Sequence, residues 1–133
     1  MNALQIFQAF VDFKDGYIGD VIRRCGGNRL EIVPDETGSG FTTVPQALTS
    51  PIQDKIPYML IDGQKFIFYL ADKVGGYEGE GEYVSRVVAV FTEQNECVGY
   101  VQVLGFYTSD NGTEWDTDFV EVEPYVKRVI DWK

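Results

Sequence analysis

Residues 82–109 read EYVSRVVAVFTEQNECVGYVQVLGFYTS. Two arms rich in Val, Tyr and Phe flank the polar TEQNE, and β-branched and aromatic side chains suit a pleated surface, so the stretch predicts an antiparallel hairpin. With Gln94 and Asn95 at the turn, Glu93 faces Glu96, Phe91 faces Val98, Tyr83 faces Phe106 and Glu80 faces Ser109. Side chains alternate along a strand. One face therefore carries Tyr83, Val87, Phe91, Val98, Tyr100, Leu104 and Phe106, and the other Val84, Val88, Val90, Val101 and Val103. Both faces are apolar, which calls for cover on both sides.

Working outward, YMLI and KFIFYLA (58–71) flank Asp62-Gly63, a hairpin signal because Gly accepts the positive φ of a tight turn. NALQIFQAFVDF at the N-terminus places Leu4, Ile6, Phe7, Phe10 and Val11 on a helical stripe with Asn2 as N-cap. A second helical turn is expected over 17–25, with Ile18, Val21 and Ile22 on one side and Gly26-Gly27 ending it. Residues 34–57 hold four of the five prolines and predict an irregular connector with one helical turn near Pro45 to Leu48. After Pro124, YVKRVIDWK alternates enough for a final strand. The expectation is one α+β domain over 1–133: 1–27 helical, 34–57 a connector and 58–132 β-rich. One or two N-terminal helices pack on a mainly antiparallel sheet of about five strands built from 56–132.

The formal charge of −10 is unevenly spread. Residues 78–123 hold eleven acids against Arg86 alone, while the rest of the chain balances. Direct nucleic-acid binding through phosphates is excluded by that sign. No apolar run is long enough for a membrane span and the N-terminus has no signal-peptide pattern, so a cytoplasmic location is expected. The chain has no His, and its cysteines, Cys25 and Cys97, stand far apart, so the common zinc spacings and His-dependent triads are absent. No catalytic motif and no cofactor-binding motif is present, which points away from an enzyme.

The hairpin register lays 75–83 alongside 105–112, so Glu78, Glu80 and Glu82 meet Asp110, Glu114, Asp116 and Asp118 at one rim, interleaved with Tyr77, Tyr83, Tyr107 and Trp115. The candidate binding residues are Glu78, Glu80, Glu82, Tyr107, Asp110, Glu114, Trp115 and Asp116. Counted from Asp110 as an EF-hand, the third position is Gly112 and the sixth Trp115, so that cation loop is excluded. A less regular cation site at Glu80, Asp110, Glu114 and Asp116 remains an alternative, because hard cations require only converging oxygens. GGYEGEG (75–81) lacks the Lys of a phosphate loop, and its glycines fit a bend against which Trp115 packs.

GGYEGEGEYVSRVVAVF, GYVQVLGFYTSDNGTEWD and EVEP together resemble a group of small uncharacterised proteins of bacteriophages and prophages. The resemblance covers 75–124 and implies a phage or mobile-element setting without an activity. The expected function is a non-enzymatic acidic binding protein whose aromatic and acidic rim contacts a basic protein surface; DNA mimicry is a variant. A small-ligand or cation-binding protein, with a ligand cleft under 34–57, is the alternative, and a carboxylate- or metal-dependent enzyme comes third. A homodimer through a face of the 83–106 hairpin would cover what the helices leave open.

Overall fold

The computed structural model describes residues 1–14, 17–26, 28–34, 41–45, 57–74, 82–108 and 112–125. Helix α1 (Ala3–Phe13) starts where the sequence places it. The Asn2 carboxamide oxygen accepts the Gln5 N–H at 2.8 Å and Gln5 Oε1 accepts the Asn2 N–H at 3.0 Å, a reciprocal cap that satisfies two otherwise orphaned donors. Helix α2 (Ile18–Gly26) buries Ile18, Val21, Ile22 and Cys25. Arg23 and Arg24, on its exposed side, hydrogen-bond the Asp20 carboxylate and hold its pKa below the ordinary value.

Eight strands follow: β1 (Leu30–Pro34), β2 (Phe41–Pro45), β3 (Tyr58–Ile61), β4 (Gln64–Val74), β5 (Glu82–Thr92), β6 (Cys97–Thr108), β7 (Gly112–Trp115) and β8 (Val120–Val122). The main sheet runs β3-β4-β5-β6-β7, with β8 also on β6, and every pair within it is antiparallel. The protein is thus α+β, two helices on a mainly antiparallel sheet. Asp62 and Gly63, at φ 51 and 79, make the β3–β4 turn.

Two expectations need correction, and two others fall mostly outside the described residues. The segment expected to be an irregular connector contains β2, which pairs with β1 from Leu30↔Pro45 to Pro34↔Phe41, so strands also form before residue 56. Pro34 and Pro45 sit at the ends of these strands, where proline is tolerated. The expected helical turn fails at Pro45, and its other residues lie outside those described. In the β5–β6 hairpin, Tyr83↔Phe106 and the pairs through Val90↔Gly99 are in the expected register, but Phe91 pairs with Cys97. The loop spans 93–95: the Thr92 N–H donates to Glu96 O, and Asn95, at φ 66, takes the left-handed position. The one-residue difference is absorbed as a bulge, and Val98 packs against the helix-side core instead of the opposite face. Of the final strand expected after Pro124, Tyr125 is not in a strand and the remaining residues lie outside those described.

The helices cover one sheet face. Ile6, Phe7, Phe10, Val11, Val21 and Ile22 pack on Phe66, Phe68, Val88, Val90, Val101 and Val103. The Phe10 and Phe68 rings stack at 4.4 Å, and Phe119 meets Phe7 edge-on at 5.0 Å. Fully burying each such side chain contributes about 1.5–3 kcal/mol. The opposite face is covered in part by β1: Leu30 packs on Tyr69, Ala89, Phe91 and Tyr100. Asn28, 1 % exposed, fastens this cover; its backbone oxygen accepts the Leu70 N–H and its side-chain nitrogen donates to Phe68 O, each at 2.8 Å.

Candidate functional site

The expected rim residues divide between the two faces of the sheet, because antiparallel partners share a face. Glu82↔Tyr107↔Thr113 and Val84↔Gly105↔Trp115 are rows on the helix side, since Val84 is buried in line with Val88 and Val90. Tyr83↔Phe106↔Glu114 is the row on the opposite side. Glu114, Asp116 and Asp118 are exposed, whereas Oε2 of Glu82 is buried with no hydrogen-bond partner among the described residues. Glu78, Glu80 and Asp110 lie outside the described residues. Among the described residues no group of three or more His, Cys, Asp or Glu is placed to hold a metal ion, and the four-carboxylate alternative depends on two residues outside them.

Trp115 is occupied in packing. Its Cε3 stands 2.8 Å from where a Cβ on Gly105 would be, and its indole edge lies 3.6 Å from the same point on Gly19 of α2. The glycines of 75–81, on which it was expected to pack, lie outside the described residues. The Arg86 guanidinium lies 5.7 Å from the Trp115 ring and donates to Val74 O and Ser85 O at 2.9 Å. Arg86 is only 7 % exposed. The one base that the sequence has in 78–123 is therefore turned inward, while Glu114, Asp116 and Asp118 are exposed.

On the face away from the helices, the cover supplied by β1 stops short. Val74↔Ser85↔Leu104 and Asp72↔Val87↔Gln102↔Val120 continue the row of Tyr83, Phe106 and Glu114. Val74 (56 %), Leu104 (45 %), Val120 (54 %) and Tyr83 (81 %) are exposed. Tyr83 and Phe106 meet edge to face at 5.0 Å, so the ring with the least cover is held by a neighbour. The patch ends in Glu114, the cross-strand partner of Phe106.

Beside this patch lies a cleft of about 950 Å³. One side is Arg29 with Leu30 and Ile32 of β1, the other Val122 to Tyr125, and between them lie Ala71, Val87, Tyr100 and Gln102. The Tyr100 phenol is pushed up from its ordinary pKa by burial and by its hydrogen bond with the Cys97 side chain, so it stays protonated at neutral pH. Gln102 is fixed by its amide donating to Ser85 Oγ at 3.0 Å. Reading the sequence missed Val74 and Val120, and it placed a ligand cleft under 34–57, whereas the lining of this one includes none of the described residues of that segment. Ala71 is a bulge in β4, with Leu70↔Val88 followed by Asp72↔Val87, which strand alternation alone does not show.

No helix among the described residues is long and apolar enough to cross a membrane. Comparison with protein-family models, with curated proteins and with solved structures returns no match.

Proposed function

We propose that the chain is a non-enzymatic binding protein that contacts a basic protein surface through the open half of its second sheet face. The observation that carries this reading is the row Tyr83, Phe106 and Glu114: the exposed Tyr83 ring set edge-on against a half-buried Phe106, with a carboxylate directly across the strand. A Lys or Arg from a partner gains from both, through the face of a ring and through an ion pair, and gains more once water is displaced. Exposed apolar area around the pair supplies the burial such a contact needs. Asp116 and Asp118 extend the acidic border, and Arg86 is too deeply placed to oppose it. The location proposed is the cytoplasm, and the setting a phage or mobile-element accessory role.

A second copy of the chain is the competing occupant, because the same open face is apolar enough for a homodimer. Two surfaces of like charge repel, which favours a basic partner.

The test is binding to immobilised poly-lysine as a defined basic surface, with poly-glutamate as control. Charge alone would make Glu93→Gln plus Glu96→Gln, at the distant hairpin loop, as damaging as Glu114→Gln plus Asp116→Asn. The proposed contact predicts that the second pair weakens binding about tenfold more than the first, and that Tyr83→Ala, which leaves the net charge unchanged, costs a comparable factor, equivalent to about 1.4 kcal/mol. Equal losses from both charge pairs, with no effect of Tyr83→Ala, would refute it. Light scattering that gives a dimer dissociated by Tyr83→Ala would transfer the face to a second copy.

A further inference from the structure

The open patch and the cleft form one continuous track. Tyr100, Gln102, Leu104 and Phe106 are alternate residues of β6 on the same face, so the cleft floor leads directly to the aromatic pair. At about 3.3 Å per residue, the distance from Tyr100 to Phe106 is about 20 Å, the length of roughly six extended residues. From these dimensions we infer that the element recognised is an extended peptide segment lying along β6, its apolar residues in the cleft and its Lys or Arg residues over Tyr83, Phe106 and Glu114. This rests on the binding reading above and specifies the partner.

Three observations select that occupant. The first is shape: β1 on one side and Pro124-Tyr125 on the other flank the cleft, and between them lie Ala71 and Val87 on the sheet. A thin segment reaches that floor, while a broad convex surface is stopped by the walls. The second is length. A small molecule sized to the cleft, which at about 950 Å³ is at the upper end of ordinary ligand sites, would leave the Tyr83–Phe106 pair about 20 Å from Tyr100 without a role. A segment spans both.

The third is the change in chemistry along the track. The cleft is bordered by charges of both signs, Arg29 and Lys73 against Asp72 and Glu123, so it selects for apolar fill and not for net charge. The far end has Glu114, with Asp116 and Asp118 beyond it in the chain, and the nearest base of that stretch, Arg86, is buried on the helix side. A basic end is complementary there and an acidic end is repelled. Order along the peptide, and not composition alone, is therefore what the surface reads.

The experiment uses three fluorescently labelled octapeptides and the full chain. One has alternating Leu and Val in one half and Arg and Lys in the other, the second has the same residues intermixed, and the third is wholly basic. Anisotropy titrations should give the segregated peptide at least tenfold tighter binding than either control, with the advantage lost when Val87→Trp fills the cleft floor. A nitroxide on the apolar end should broaden the amide signals of Tyr100 and Val122, and one on the basic end those of Tyr83 and Glu114. This measurement needs no cleft variant, so the inference stays testable if Val87→Trp does not fold. Equal affinity for all three peptides, with broadening confined to Tyr83 and Glu114, overturns the extended-segment inference and leaves the basic-partner reading standing. Absence of binding by any basic peptide, together with no response to Tyr83→Ala, overturns both.

Discussion

Gly105→Ala tests whether the packing of Trp115 organises the end of the sheet. A Cβ at this position would stand 2.8 Å from the backbone oxygen of Glu114, 2.8 Å from Trp115 Cε3 and 3.1 Å from Thr113 Cγ2. Ordinary van der Waals contact begins near 3.4 Å, so two neighbours must retreat by about 0.6 Å. One of them is backbone in β7, only four residues long and joined to β6 by the pairs from Gly105↔Trp115 to Thr108↔Gly112. It can move only by stretching that ladder. The other is an indole seated between Gly19 and Arg86, which can swing out only by giving up that cover. Either response places the substitution among overpacked sites, at about 1–3 kcal/mol of lost stability. For a chain of this size that is a fall in Tm of roughly 3–15 °C. Urea unfolding followed by tryptophan emission, in a Trp132→Phe background that leaves Trp115 as the only indole, should show both the lower midpoint and a red-shifted native spectrum. An unchanged midpoint with an unchanged spectrum would mean that the close approach of Gly105 and Trp115 does not constrain β7.

Other consequences follow from the same packing. Asn28→Ala removes the 2.8 Å donation to Phe68 O inside the core and should cost about 1–3 kcal/mol in a denaturant titration. Glu121 Oε1 accepts the Leu4 N–H at 3.3 Å in the first turn of α1, so Glu121→Gln should lower stability by about 0.3–1 kcal/mol, and 1 M salt should erase most of the difference. Burial pushes the Cys25 thiol from 9.0 up to about 12, whereas Cys97 is exposed, so an aromatic disulfide reagent at pH 8 should titrate one thiol in the native protein and two in denaturant. Because the folded state holds the Cys25 proton more tightly, its contribution to stability is complete below pH 9.0 and is lost as pH rises toward 12; the raised phenols of Tyr69 and Tyr100 act in the same direction. Alkaline melts of Cys25→Ser should show a shallower decline.

The parts of the fold that are specified locally were legible. Asn2 as N-cap and a 3.6-residue stripe identify α1, Asp62-Gly63 identifies a hairpin, and Val84, Val88 and Val90 fall on one face of a strand, although which face the helices cover shows only in the assembled sheet. What the sequence did not disclose depends on non-local contacts. A strand pairing such as β1–β2, between proline-bounded segments, has no strong period of its own. A bulge at Ala71 or Val98 changes register by one residue without a marker residue, and in the second case turns Val98 to the other face. The candidate site shows the same division. The register correctly set Tyr83 opposite Phe106, and so located the aromatic pair, but the rim acids looked contiguous because a sequence does not show which side of β7 each one takes. Only the assembled sheet separates Glu82 from Glu114 and buries Arg86 beneath Trp115.

The most direct test of the proposed binding surface is a map of amide shifts in the ¹⁵N-labelled protein during titration with an Arg/Lys-containing octapeptide whose other half is Leu and Val. The surface described predicts shifts concentrated at Val74, Tyr83, Leu104, Phe106 and Glu114 and at the cleft residues Val87 and Tyr100, with the changes near Glu114 reduced several-fold on going from 0.05 to 0.5 M salt as the Debye length shrinks. Shifts centred on Glu93 and Glu96 at the opposite end of the hairpin, or on Asp12 and Asp20 of the helices, would contradict it, because those carboxylates carry the same charge without the aromatic pair.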